Sequence, residues 1–292
     1  MTDKPIRDLV ILHDTDWLVH NASSAVTRVV EWEDGILESY ADLEEAKQIF
    51  LGWLERIHGA RKAWKDATPI MTFTDSVNWR KSVLDTYKSN RAGTAKPLAY
   101  WKLKEWVMEN YECFQRPTLE GDDCMGILST APRLVNAKKA IIASPDKDFN
   151  TIPGEFFWID AHGGKHEFKV ISEQEADHWH MLQTLMGDAT DGYTGCPGMG
   201  KTGAEEFLKE PYMVYQEERV LKSGPRKGEV ELQWKKRPLA EGETLWQAIV
   251  ALFNKAGYDE DYALQQARVA RICRAEDFNL REKEVILWNP QT

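Results

Sequence analysis

Cysteine is scarce: four residues, at positions 113, 124, 196 and 273, with no CxxC pair. That spacing argues against a zinc site or a disulfide framework and fits a reducing cytoplasm. Long apolar runs are also missing. The longest, such as Leu9–Leu12 and Ala140–Ala143, are far too short to span a membrane. The opening residues MTDKPIRD carry no apolar stretch after their charges, so no secretory signal is expected. Positive charge is in deficit, since 37 Lys and Arg against 47 Asp and Glu leave a formal net charge of −10. At first sight this disfavours a polyanionic partner. An acidic cluster that holds divalent cations, however, raises the negative count without making the outer surface repulsive. What decides is whether the basic residues are segregated. No internal repeat or low-complexity tail is visible. What is present forms cores: 42% of the 292 residues are hydrophobic and 12 are Trp, enough for one large domain or two ordinary ones.

The acids recur at one kind of place. Asp8–Asp14 (DLVILHD) reads as a buried strand that ends in an acid, which puts Asp14 where open α/β sheets place their ligands. Asp16 is a second candidate just beyond it. Thr68–Asp75 (TPIMTFTD) repeats the pattern and ends on Asp75. Ala140–Ala143 is a third strand, with Asp146 and Asp148 beyond the turn that Pro145 favours. Any one of these acids could be a turn or cap residue; their repetition points to a shared site. Behind Pro117 and Thr118, the stretch LEGDDCMG places Glu120, Asp122 and Asp123 in the first turn of a helix. Glu120 and Asp123 share a face there, while Asp122 points elsewhere. Such acids can simply complement the helix dipole. Packed together they repel unless a cation neutralises them, and all-oxygen clusters suit Mg²⁺ or Mn²⁺.

The basic residues are segregated. Across residues 78–111, Arg80, Lys81, Lys88, Arg91, Lys96, Lys102 and Lys104 interleave with Trp79, Tyr87, Tyr100, Trp101 and Trp106. Cations neutralise phosphates and aromatic faces stack on exposed bases, so the segment suits single-stranded or frayed nucleic acid. The alternative is a solvated basic helix with its aromatic residues turned inward. Apolar spacing over Asp42–Arg56 predicts an amphipathic helix, Phe156–Val170 a hairpin and Glu173–Met186 a further helix. Met186–Leu208 (MGDATDGYTGCPGMGKTGAEEFL) is the densest motif: Asp188 and Asp191 lie three apart, and five glycines allow close approach of backbone to a phosphate. Gly195–Thr202 also fits the Walker A pattern GxxxxGK[ST], which needs a buried strand before it; the preceding residues are polar and turn-forming. Two short helices joined by a glycine hairpin facing a DNA phosphate are the better expectation. Lys222–Pro238 reads as a basic loop, and Trp246–Phe253 and Asp261–Arg274 as terminal helices.

In this order the motifs resemble the 5′ nucleases related to flap endonucleases, in particular the stand-alone 5′→3′ exonucleases of tailed phages. The resemblance covers most of the chain up to about Leu208. It rests on Asp14, on Asp75 with Arg80, on the YKxNR signature at Tyr87, Lys88, Asn90 and Arg91, and on the ExDD cluster at Glu120, Asp122 and Asp123. It continues in the DxD of Asp146 and Asp148, then in GDxxD and GxxGxG at Gly187, Asp188, Asp191, Gly195, Gly198 and Gly200. Gly192 and Thr194 depart from the family's usual Asn and Pro, and Thr15 follows Asp14 where Gly is usual.

The resemblance implies an α/β fold: a central, mostly parallel sheet flanked by helices, as in PIN and 5′-nuclease domains. Residues 1–175 would form the nuclease domain with a helical arch at about 78–111. Residues 176–292 would form a helical DNA-binding region with a helix–three-turn–helix at about 186–208. It implies a metal-dependent 5′→3′ exonuclease or structure-selective nuclease acting on duplex or flapped DNA, or on RNA in RNA–DNA hybrids. Two divalent ions would be held by Asp14, Asp75, Glu120, Asp122 and Asp123 and by Asp146, Asp148, Asp188 and Asp191. Arg80, Lys88 and Arg91 would serve catalysis. Tyr87, Asn90, Gly195, Gly198, Gly200, Lys201 and Thr202 would bind DNA, with K⁺ as a further cation at the glycine hairpin. A monomer in the cytoplasm of an infected host, serving primer removal, recombination or host-DNA breakdown, is the expectation. The alternatives are a P-loop ATPase acting on DNA, a non-catalytic DNA-end-binding protein and an RNA-directed nuclease of the PIN class.

Overall fold

The computed structural model describes residues 5–91, 93–162 and 164–290. Residues 1–4 and 291–292 at the ends of the expected domains, Ala92 in the expected arch and Gly163 in the expected hairpin turn lie outside the described residues. Strand β1 (Arg7–Asp14) runs directly into helix α1 (Thr15–Val26), whose N-cap is Asp14. An exposed ribbon of β2 (Thr27–Glu31) and β3 (Leu37–Ala41) precedes α2 (Leu43–Gly59), which Asp42 caps. Next come β4 (Thr68–Thr72), the short α3 (Arg80–Val83) and α4 (Tyr100–Asn110). Strand β5 (Cys113–Phe114) leads to α5 (Gly121–Thr130), then β6 (Ala137–Ser144), β7 (Gly154–Trp158) and β8 (Glu167–Ile171). Helices α6 (Glu173–Met186) and α7 (Lys201–Lys209) flank the glycine loop. Strands β9 (Tyr212–Val220) and β10 (Val230–Pro238), helices α8 (Leu245–Lys255) and α9 (Glu260–Ala270), and the short pair β11 (Phe278–Asn279) and β12 (Glu284–Val285) complete the order.

Two compact units result. The first takes residues up to Trp79, Arg91–Ala176 and Ile272–Ile286; the second takes Arg80–Asn90, Asp177–Arg271 and the residues from Leu287 onward. The expected ranges 1–175 and 176–292 are contiguous, whereas each of these units collects three stretches of chain.

The first unit is built on a six-stranded sheet in the order β5-β4-β1-β6-β7-β8. All neighbours are parallel except β7 and β8, which form the expected hairpin. Parallel strands covered on both faces read as continuous apolar runs, and Val10, Ile11 and Leu12 of β1 and Ile141 and Ile142 of β6 are buried accordingly. Helices α1, α2 and α4 supply Leu18, Val19, Phe50, Trp53, Leu103 and Val107 to the same core.

In the second unit, α6 to α9 pack around Leu185, Phe207, Ile249, Phe253 and Ala267. The basic stretch 222–238, expected as a loop, is instead the turn and the whole returning strand of a β9–β10 ribbon with nine cross-strand pairs. Gly224, Pro225 and Gly228 mark only the turn, and Pro238 closes β10 at the base. Helix α9 ends at Ala270 and not at Arg274, because the chain turns extended at Arg271 and commits Cys273 N–H to the Asp123 carboxylate.

Candidate active site

Strands β5, β4, β1 and β6 are parallel neighbours, so their carboxyl ends meet along one edge of the first unit. The chain leaving each of them carries acid. Asp14 closes β1, Asp75 follows β4 after Phe73 and Thr74, Glu120 and Asp122 open α5 beyond β5, and Asp146 and Asp148 follow β6.

Donors hold these carboxylates apart. Asp14 Oδ1 accepts Trp17 N–H at 3.2 Å, and its Oδ2 accepts the Ser144 hydroxyl at 2.7 Å. Ser144 Oγ in turn accepts Asp146 N–H at 3.0 Å, so one serine ties the ends of β1 and β6 together. Asp146 Oδ1 accepts Asp148 N–H at 2.8 Å, and Asp75 Oδ2 accepts Thr118 N–H at 2.8 Å. Withdrawal from water pushes the Asp14 carboxyl up to about 7, with Asp16 and Asp146 adding repulsion that the Ser144 and Trp17 hydrogen bonds only partly offset.

Among the described residues, no three His, Cys, Asp or Glu side chains form a ready cage for a metal ion. The donor set nonetheless fits a hard divalent cation. Every candidate is a carboxylate oxygen, the donor such an ion takes.

Two acids serve the frame. Asp16 Oδ2 accepts Thr74 N–H at 2.7 Å and its Oδ1 accepts the Tyr100 hydroxyl at 3.1 Å, joining the end of β4 to the start of α4. Asp123, expected to ligate metal, is fully buried. Its Oδ2 accepts Trp79 Nε1–H at 3.0 Å and Glu120 N–H at 3.1 Å, and its Oδ1 accepts Cys273 N–H at 3.0 Å. With Glu120 it completes a capping box at the start of α5. Both its oxygens are thus engaged in bracing the helix that presents Glu120 and Asp122. Sequence reasoning missed Ser144 and Trp79, whose only signals are a hydroxyl at a strand end and one tryptophan among several.

The basic segment departs most from expectation. Arg80, expected to serve catalysis, is buried: its guanidinium donates to Val269 O at 3.0 Å and Arg271 O at 2.6 Å. It satisfies carbonyls that the end of α9 leaves without helical partners. The aromatic residues turn inward, as in the alternative reading. Trp79, Tyr87 and Tyr100 are buried, and only Trp101, 64% exposed, offers a broad face to solvent. Arg91 and Lys96 are exposed.

In the second unit, Tyr87 and Asn90 clasp the acidic loop; Tyr87 is buried, which takes its ring away from DNA, while Asn90 stays exposed. The Tyr87 hydroxyl donates to Asp191 Oδ2 at 2.9 Å, and Asn90 Nδ2 donates to Thr190 O at 3.1 Å. Between them Lys88 adopts a left-handed backbone, φ +52°, costly for a non-glycine residue. It is held there by its N–H on Asp191 O at 2.8 Å, and its Nζ lies 3.5 Å from Asp191 Oδ2. Asp188 accepts Thr190 N–H at 2.7 Å, so the loop closes on itself.

Gly195, expected at a phosphate, gives its N–H to Gln266 Oε1 at 2.9 Å, and a side chain there would collide with the backbone of Gly187. Gly198, Gly200, Lys201 and Thr202 do lie exposed at the hairpin tip, and the two glycines face open space. The Walker-like string follows α6 and an isolated Asp188–Tyr193 bridge, not a strand, so it lacks the setting a P-loop requires.

No family model matches the chain. Comparison with known proteins is decisive all the same: the chain belongs to the 5′ nuclease family and is a nuclease, a phosphodiester hydrolase. Within that class its similarity is to phage enzymes. The exodeoxyribonuclease of Enterobacteria phage T3 is 42% identical over 287 residues, 97% of this chain and 93% of that protein. The exonuclease of Escherichia phage T7 is 40% identical over 285 residues, 96% of this chain and 93% of that one. The fold is that of the T5 5′-exonuclease, with a TM-score of 0.52 at 15% identity over 90% of this chain and 89% of the other. No helix among the described residues is long and apolar enough to cross a membrane.

Proposed function

We propose that the chain is a divalent-metal-dependent 5′→3′ nuclease of duplex or flapped DNA. One observation carries the reading: four adjacent parallel strands deliver carboxylates to a single edge. Asp14, Asp75, Glu120, Asp122, Asp146 and Asp148 would hold Mg²⁺ or Mn²⁺ there, and Asp188 and Asp191 are the ligands proposed in the second unit. When bound, a pair of such ions supplies an activated water and charge stabilisation for the leaving oxygen.

The chain's own residues supply the rest. Ser144 and the Asp123 brace keep acids at fixed spacing although they repel. Lys88 and Arg91 neutralise the phosphate and the charge that develops on it. Lys201, Thr202 and the open glycines of the hairpin tip grip the duplex backbone, contacts that read polarity and structure but not sequence. K⁺ at that hairpin, acceptance of RNA–DNA hybrids, a monomeric state, a place in the cytoplasm of an infected host and work in primer removal, recombination or host-DNA breakdown belong to the same proposal. The phage T3 and T7 relatives, an exodeoxyribonuclease and an exonuclease, support the DNA nuclease activity and its phage setting.

The test is cleavage of duplexes labelled at the 5′ or the 3′ end, with Mg²⁺ and with EDTA. Short 5′ fragments that require Mg²⁺ are expected, and Asp146→Asn should abolish them while DNA stays bound. Intact DNA that remains bound would favour a silent end-binding protein, and cleavage that required ATP would revive the P-loop.

A further inference from the structure

Tyr87 lies in the basic segment, and its ring would be the natural partner for a base. The geometry excludes that use. The side chain is only 2% exposed, packed with Tyr193, Val269 and Ala270 and against Val83 and Leu84. The single polar atom of the ring meets the acidic loop, where its hydroxyl donates to Asp191 Oδ2 at 2.9 Å. Lys88 Nζ approaches the same oxygen at 3.5 Å, while Lys88 N–H holds the Asp191 carbonyl at 2.8 Å. Asn90 fixes the preceding residue through Thr190 O. Gly192 completes the fit, because a Cβ there would press to 3.1 Å on Thr86 O. Residues 86–90 and the loop 188–192 are therefore one clasp, and three of its contacts converge on Asp191.

We infer that Tyr87 is a positioning residue for Asp191, acting on metal affinity through its hydroxyl and not on DNA through its ring. The inference rests on the reading of Asp191 as a metal ligand. A carboxylate that accepts a hydrogen bond on one oxygen loses rotational freedom and presents its coordinating geometry in advance. Removing such partners of metal ligands characteristically weakens metal binding about 10- to 100-fold. A stacking residue behaves otherwise, since its loss weakens DNA binding and leaves the metal untouched.

Tyr87→Phe removes the hydroxyl and keeps the packed ring. The measurement is direct Mn²⁺ titration of the DNA-free protein by calorimetry, alongside duplex affinity in EDTA. The expected result is about a tenfold rise in the Mn²⁺ dissociation constant with unchanged duplex affinity. In an Asp191→Asn background, adding Tyr87→Phe should weaken Mn²⁺ binding no further, because the two changes remove one interaction. Wild-type Mn²⁺ affinity in Tyr87→Phe, lost duplex affinity, or additivity of the two substitutions would each overturn the assignment. A wild-type chain that takes up no Mn²⁺ would overturn the divalent-metal reading itself, an outcome visible before any variant is compared.

Discussion

Asp14 ends a buried strand, caps a helix and borders two other acids, and its proton affinity records all three. Its carboxyl is raised from an ordinary 3.8 to about 7. The metal-free folded state therefore holds a proton that the unfolded chain releases. The sign follows: the contribution is fully present below pH 3.8 and is lost as pH rises through about 7. Metal-free protein should lose thermal stability across that window. Asp14→Asn should flatten the profile, raise the midpoint at pH 7.5 by on the order of a few °C and abolish cleavage; calorimetric scans at several pH values check it. That Asp14 stands at the carboxyl end of a buried strand, in line with the acids after β4 and β6, was legible from sequence, because the apolar run ending in an acid recurs three times. That Asp123 and Arg80 serve the frame was not. Both are charged residues inside functional motifs, and only the backbone groups they meet, 150 residues on at Cys273 and 189 on at Val269, reveal the role.

Elements were legible where periodicity was strong. Strands β1, β4 and β6 and helices α2 and α6 stand close to where the apolar spacing puts them. Strand β10 is hidden within the expected loop 222–238 because it is largely solvated on both faces, which removes the alternation that betrays a half-buried strand. Three of the ribbon's cations are paired within it or at its base: Lys235 with Glu217, Arg226 with Glu231, and Arg237 with Glu243 at 2.6 Å. The Arg237 hydrogen bond, with Ala240 N–H adding to it, holds the Glu243 carboxyl down at about 2. Such a ribbon is self-contained. Replacing residues 218–232 with Asn-Gly would close it at the Glu217–Gln233 pair with a two-residue turn. The midpoint of thermal unfolding should stay within about 2 °C of wild type, and duplex affinity in low salt should hold. A large loss of affinity would assign the outer ribbon to DNA.

The whole molecule is threaded so that neither unit is finished by one continuous stretch. Residues 272–286 return to the first unit, where Gly126 leaves no room for a side chain against the Cys273 carbonyl and Arg274 donates to Thr151 O at 3.0 Å. A fragment cut after residue 176 should therefore fail to fold cooperatively, and adding a synthetic 272–286 peptide should restore part of its structure. Circular dichroism on heating, with and without the peptide, is the check. A sharp transition in the fragment alone would show that the returning strand is dispensable. The boundary near residue 175 comes from the family resemblance, and a return of fifteen residues carries no compositional mark. The Asp123–Cys273 bond has a consequence in time. The helix that carries Glu120 and Asp122 gains its last brace only after the 150 residues beyond Asp123 have been synthesised. On the ribosome, a nascent chain therefore carries this helix without that brace until Cys273 has emerged.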